Sequence, residues 1–381
     1  MFINQLFKLN GRKYHKGNIV ATALALATLI FVFSASYVLA GSNVTVTRTF
    51  NPSADAAITV NAGDDNGFET TPTNAYADGP GGAAVDTNSG SNSNAVATGT
   101  ATDKHNFYNY TLTSIPTGST INGISVRADI SVDSLTGSPF TAVRLSWDGG
   151  TSWTPEKQTT LTATAETTYT YGDSADTWGR TWSASELTDA NFRVQVINGD
   201  TAANSLRDFS LDWLPVSITF TAPWDSYSDS ARTTISDSFV TYGTTVYMKG
   251  TGYATGTYNV AYYDANPTGG GQKTATDSGI SVAGDGILNS QYLLNTDPNA
   301  FSGTWHALVQ PTGATAFPTP YDTAVASPDT YALLGNDAFS VQQAAIPEFP
   351  TVSAAIVVSG SCFGLYFWMR KRLKFKMQGA N

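Results

Sequence analysis

Oxygen-bearing side chains are the only ones this sequence gathers densely enough to suggest chemistry. Between Asn61 and Asn94 run 34 residues, mostly Gly, Asn, Asp, Ser, Thr and Ala, that carry Asp64, Asp65, Asn66, Glu69, Asp78 and Asp86. Asp64-Asp65-Asn66-Gly67 combines the carboxylate density and the glycine turn that hard cations such as Ca²⁺ use, without the spacing of an EF-hand. A loop of this length inside a compact domain is usually functional or unstructured. The stretch therefore reads either as a calcium loop or as solvated acidic chain. Histidine chemistry is sparse. His15 lies near the N-terminus, His105 opens a strand in Lys104-His105-Asn106-Phe107-Tyr108, and His306 follows Trp305 and so faces away from it. Solvent-facing or strand-pairing roles are expected for His105 and His306. The sequence has no nucleophile elbow, no metal-binding His pair and no phosphate loop. A pair of glycosidase carboxylates would leave no local pattern, because the two acids come from separate strands.

Two motifs carry resemblances. Ser146-Trp147-Asp148-Gly149-Gly150-Thr151-Ser152-Trp153 resembles the Asp-box, a hairpin motif best known from sialidase propellers. Asp148 is expected to accept hydrogen bonds from turn amides, Gly149 and Gly150 to take positive φ, and Trp153 to pack under the turn. A propeller would repeat the motif at blade spacing, and one copy is present, so the reading is a structural turn. Leu211-Asp212-Trp213 resembles the last strand of jelly-roll carbohydrate-binding modules, in which a lone Asp joins an N-terminal acidic loop around a structural Ca²⁺. That resemblance implies a calcium set of Asp212 with Asp64, Asp65 and Glu69; the other reading puts Asp212 on the outer face of a sheet. Aromatic residues that sugars stack on are abundant in or near turns (Tyr76, Tyr108, Tyr110, Trp153, Trp178, Trp182, Trp224), but periodicity selects no binding face among them.

The elements that must position these groups are strands. Ile124, Val126, Ala128, Ile130 and Val132 alternate with Ser125, Arg127, Asp129 and Ser131. Val143-Leu145-Trp147, Phe192-Val194-Val196, Tyr258-Val260-Tyr262 and Trp305-Ala307-Val309 repeat the period of two, between turn clusters such as Asp148-Gly149-Gly150 and Asn198-Gly199-Asp200. The fold class is all-β: a jelly-roll β-sandwich over residues 43–222, then a shorter β-sandwich over 223–342. Phe209 to Phe220 reads as a terminal core strand in which Pro215 marks a bulge or edge. Gly256 to Asp264 and Gly303 to Ala307 resemble strand motifs of surface immunoglobulin-like modules, which implies an Ig-like second domain.

Both ends are hydrophobic. Lys8, Arg12, Lys13 and Lys16 precede an apolar run from Ile19 to Phe33, and Val38-Leu39-Ala40 offers a signal-peptidase site, so residues 1–40 are expected to be a signal peptide; an uncleaved signal anchor is the alternative. At the other end, residues 343–350 form a linker to a 351–381 tail. Thr351 to Met369 is uncharged and apolar for 19 residues, about 28 Å as a helix, and Arg370-Lys371-Arg372 follows. Pro347-Glu348-Phe349 before that helix and basic cluster resembles a PEF-CTERM sorting signal, which implies processing by an archaeosortase- or exosortase-type enzyme; a plain transmembrane anchor is the other reading. Either places residues 41–350 outside the cell, anchored to the cytoplasmic membrane. All 30 acidic residues lie in that region with 11 of the 20 basic ones, for a net charge of −19, which excludes a nucleic-acid partner. Cys362, in the tail, is the only cysteine, so the exported part has no disulfide. Asn43-Val44-Thr45 and Asn109-Tyr110-Thr111 match the N-glycosylation pattern. The expected function is a non-catalytic, membrane-anchored surface protein with an envelope structural or adhesive role. The alternatives are a glycan receptor and a surface glycoside hydrolase, and the expected partners are the membrane, a sortase-like enzyme, and glycans or envelope components.

Overall fold

The computed structural model describes residues 43–57, 67–89, 103–201, 206–240, 244–264, 277–294, 302–317 and 331–342, all within one compact unit, Ala40–Asn381. Asp64 and Asp65, the sorting motif and both hydrophobic ends lie outside the described residues. Within them the protein is all-β, in a β-sandwich architecture of four sheets, with two 3₁₀ turns at Pro72–Tyr76 and Leu112–Ser114. None of the described helices is long and apolar enough to cross a membrane.

The first sheet is built around β5 (Thr120–Val132), whose Ile124, Val126, Ala128 and Ile130 are fully buried. Each such branched side chain removed from water contributes about 1.5–3 kcal/mol. On one side of β5 runs β8 (Thr167–Tyr171). On the other run β10 (Arg207–Trp213) and β11 (Val216–Thr221) end to end, so that Leu211 faces Ile130 and Ile218 faces Ile124. They form one interrupted strand. Pro215 has no N–H to give the ladder, and Asp212 is the extra residue where the register shifts between Leu211 and Trp213. The outer neighbours are β1 (Val46–Phe50) on β11 and β3 (Ala84–Ser89) on β10.

The strand β3 and the 3₁₀ turn at Pro72–Tyr76 correct the expectation of one continuous loop from Asn61 to Asn94. Small and polar residues hide the alternation there. Ala84 and Asp86 face inward and Val85 and Thr87 outward, a pattern that a hydrophobicity reading misses.

The facing sheet runs β2 (Ala54–Ala57), β4 (Asp103–Tyr108), β9 (Arg193–Asp200), β6 (Pro139–Ser146) and β7 (Lys157–Thr160), antiparallel throughout. Its inner face gives Phe107, Val194, Val196, Val143 and Leu145 to the shared core.

After Ala222 two further sheets form. One is β12 (Trp224–Tyr227), β14 (Thr245–Gly250) and β17 (Leu288–Leu293). The other is β13 (Ser238–Val240), β19 (Gly335–Gln342), β18 (Gly303–Pro311), β15 (Gly256–Tyr263) and β16 (Asp277–Val282), with β13 parallel to β19. Trp224, fully buried, donates its indole N–H to the Ala307 carbonyl at 3.1 Å and so joins the two sheets. No named strand from before Ala222 pairs with one from after it among the described residues, yet the two halves touch. Val44 donates its N–H to the Asn336 carbonyl at 2.9 Å, and Thr117 donates to Gly252 at 2.8 Å.

Candidate functional site

The outward side of the β2-β4-β9-β6-β7 sheet carries an ordered polar grid. Register places Asn106 opposite Gln195 and Gln195 opposite Arg144, one row across β4, β9 and β6. The next row is Tyr108, Arg193 and Ser146, extended by a bridge from Ser146 to Trp153. Hydrogen bonds run along the first row: Gln195 Nε2 donates to Asn106 Oδ1 at 2.8 Å, and Arg144 Nε donates to Gln195 Oε1 at 2.8 Å. Two rings back the guanidinium groups. Arg144 lies over Trp153 at 4.8 Å from the ring centroid and Arg193 over Tyr108 at 3.9 Å. These four side chains are half-buried, whereas the amides between them are buried. Burial pushes the Arg144 pKa below its ordinary value, and the charge of Glu156 acts the other way.

The Asp-box turn frames one end of this grid and has the expected local structure. Asp148 accepts from the Thr151 and Ser152 amides at 3.1 and 2.7 Å and from the Ser146 hydroxyl at 3.0 Å, which hold its carboxyl below the usual range. Gly149 and Gly150 have φ of 78° and 99°. The turn leans back onto the sheet, where Arg193 Nε donates to the Gly149 carbonyl at 3.3 Å.

His105 is the second cluster: it pairs within β4 as one expectation had it, opposite Ala57 and Val196, but it does not face solvent, which corrects the other. It is 2% exposed, on the inner face of β4 beside Phe68 and Phe107. The amide of Phe68 donates to Nδ1 at 3.2 Å, so that nitrogen is bare; the proton is on Nε2, which donates to Asp55 Oδ1 at 3.0 Å. Tyr76 donates to Asp55 Oδ2 at 2.5 Å. Burial lowers the His105 pKa, against the opposing hydrogen bond and charge of Asp55. Burial, followed by Asp55, raises that of Tyr76. Both ring nitrogens are occupied, so this constellation holds structure and has no nitrogen to offer a substrate. The close fit also fixes Gly67: φ is 60°, and a Cβ there would stand 2.8 Å from His105 Nδ1.

The expected calcium ligands that are described have separate partners. Glu69 accepts the Thr87 amide at 3.0 Å. Asp212, 8% exposed, lies on the outward side of β10 near Asp78 and Asp129; burial, then the Asp78 charge, raises its pKa. Among the described residues no group of three His, Cys, Asp or Glu side chains is placed to hold a metal ion. Asp86 is buried at the inner end of the sandwich, where Asn198 donates to its Oδ2 at 2.8 Å; burial, then the Asp103 charge, raises its pKa well above the ordinary carboxylate range. Asn43 is half-buried and donates its side-chain amide to Asp225 Oδ1 at 3.0 Å, and Asn109 sits at φ 59° after β4. A shallow cleft of about 300 Å³ opens where the halves meet, between Thr117 and Gly252–Thr255, and Asp285 is the one carboxylate among the described residues of its lining.

Arg144, Arg193, Asn106 and Gln195 were not singled out from sequence. The signal was present in the alternation, since each sits between core residues of its strand, but the cross-strand register that assembles them has no sequence code.

No protein-family model matches this chain, and no curated protein matches it. Among solved structures it is similar to the glycoside hydrolase domain of Endo-D from Streptococcus pneumoniae R6, at 10% identity and a TM-score of 0.17 over 71% of this chain and 35% of that one. It is also similar to a beta-1,2-glucanase from Parabacteroides distasonis, at 12% identity and a TM-score of 0.23 over 77% of this chain and 36% of that one. The chain spans about a third of the length of each, and at these TM-scores neither informs its fold or function.

Proposed function

We propose that this protein is a non-catalytic, membrane-anchored surface protein with an adhesive role, and that its first sandwich binds glycans on the outward face of the β2-β4-β9-β6-β7 sheet. The observation that carries the reading is the hydrogen-bonded row Asn106–Gln195–Arg144, flanked by the half-buried rings of Tyr108 and Trp153. Sugars are recognised by such combinations: a ring for the apolar face of the pyranose and fixed donors and acceptors for its hydroxyls. We read the first half as a jelly roll, supported by its facing six- and five-stranded sheets, and the second as an Ig-like spacer, supported by its three- and five-stranded sheets over an aromatic core. The signal peptide would direct export, and the tail would hold the sandwiches outside the membrane.

The test is a glycan-array screen of the detergent-solubilised full chain beside Tyr108→Ala and Trp153→Ala, with melting curves to verify folding. Saccharide binding that both folded variants weaken supports the reading. Binding to no saccharide, or binding that neither variant weakens, overturns it.

A further inference from the structure

The grid contains two positive charges, Arg144 and Arg193, of which Arg144 feels the charge of Glu156 without forming an ion pair with it. Three other cations of the same half that stack on rings are matched by acids. Arg127, over Trp213, pairs with Asp129 at 2.6 Å; Lys157, over Trp178, pairs with Asp176 at 2.7 Å; Arg180, between Trp147 and Trp182, pairs with Glu186 at 2.7 Å. Arg144 and Arg193 make no ion pair among the described residues. They are diagonal neighbours on β6 and β9, because Arg144 faces Gln195 and Arg193 faces Ser146. Such neighbours stand roughly 7–8 Å apart at the backbone, within reach of one ligand. In a region of net charge −19, two guanidinium groups side by side on one sheet face, with no ion pair among the described residues, stand out from their surroundings.

Their geometry selects the partner. Gln195 takes Arg144 at Nε and the Trp153 ring lies against its guanidinium, and among the described residues no other hydrogen bond engages its two terminal nitrogens. Planar guanidinium groups fixed in this way match a planar carboxylate. Half-buried charge without a counter-ion is costly, and a ligand carboxylate would recover that cost.

We propose that the glycan is acidic, and that Arg144, assisted by Arg193, binds the carboxylate of a uronic-acid residue. The inference rests on the glycan-binding reading above and adds its ligand class.

The experiment measures binding of the detergent-solubilised full chain to immobilised polygalacturonate, alginate and hyaluronan, and to the same polymers after reduction of their carboxyl groups to alcohols. Dextran sulfate serves as a polyanion control. At least one native polyuronate should bind about tenfold or more tightly than its reduced form. Arg144→Gln should lose that preference, and Arg144→Lys should retain part of it, with unchanged melting curves in both. Equal binding of native and reduced polymers, still sensitive to Tyr108→Ala, would overturn the acidic ligand and leave the glycan reading standing. Dextran sulfate binding as tight as any polyuronate would also overturn it, as simple ion exchange. Failure of all polymers, reduced and native, would overturn the acidic ligand, and failure on the glycan array as well would overturn both.

Discussion

Thr117 and Gly252 pin the two halves of the molecule together. The Thr117 amide donates to the Gly252 carbonyl at 2.8 Å, and its hydroxyl reaches the same oxygen at 3.3 Å. Gly252 has φ 75°, and a Cβ there would overlap the Thr117 carbonyl oxygen, a backbone atom that cannot swing aside. Gly252→Ala should therefore destabilise the protein by about 2–4 kcal/mol, from left-handed strain plus overpacking. Calorimetry should show the loss, and limited proteolysis should show new cutting near residues 222–223. An unchanged melting curve would mean the junction is loose.

Asp337 predicts a pH dependence on the other side of that junction. It is 1% exposed, and burial, with the Asp237 and Asp225 charges adding to it, pushes its pKa up to about 7. The folded state therefore holds this proton more tightly than the unfolded state does. The stability it contributes is full below about pH 4, declines as pH rises to about 7, and is then lost, with an upper bound of about 4 kcal/mol. Asp337→Asn should melt several degrees above the parent at pH 8 and level with it at pH 4.

His105 acts with the opposite sign. Its folded pKa is lowered, first by burial, so its contribution is present above the ordinary imidazole value near 6.5 and is lost as pH falls below it. His105→Phe should flatten that acid limb in denaturant titrations. It should also cost about 2–4 kcal/mol at pH 8, because the Phe68 amide and the Asp55 carboxylate lose their partner. An acid limb unchanged in the variant would assign it to other groups.

Asp212 separates the calcium reading from plain electrostatics. Burial first, then the charges of Asp78 and Asp129, make its own charge unfavourable. Asp212→Asn should hold or raise the melting temperature in a chelator. If Ca²⁺ stabilises the parent and that gain vanishes in Asp212→Asn, Asp212 is a ligand; identical curves with and without Ca²⁺ exclude the site.

Processing at Pro347-Glu348-Phe349 should remove the tail. Mass spectrometry of protein released from the cell surface should then find no peptide from Ser361 to Lys376. An intact C-terminus would leave a transmembrane anchor.

Local sequence already contains much of this protein. Alternation along Ile124 to Val132 specifies a half-buried strand, because side chains on a strand face opposite ways. Gly149 and Gly150 after Asp148 specify the turn, because its hydrogen bonds close within a few residues. Pro215 interrupts its strand for the same local reason, a missing N–H. The polar grid is different. Asn106, Gln195 and Arg144 belong to strands far apart in the chain, and only the β4–β9–β6 register brings them into one row. His105 shows the same limit: its strand was legible, but its burial and tautomer depend on Phe68 and Asp55, delivered by separate elements. Short-range geometry is written in residue order, whereas pairing register and burial arise from packing the whole chain at once, and the candidate site is made of the latter.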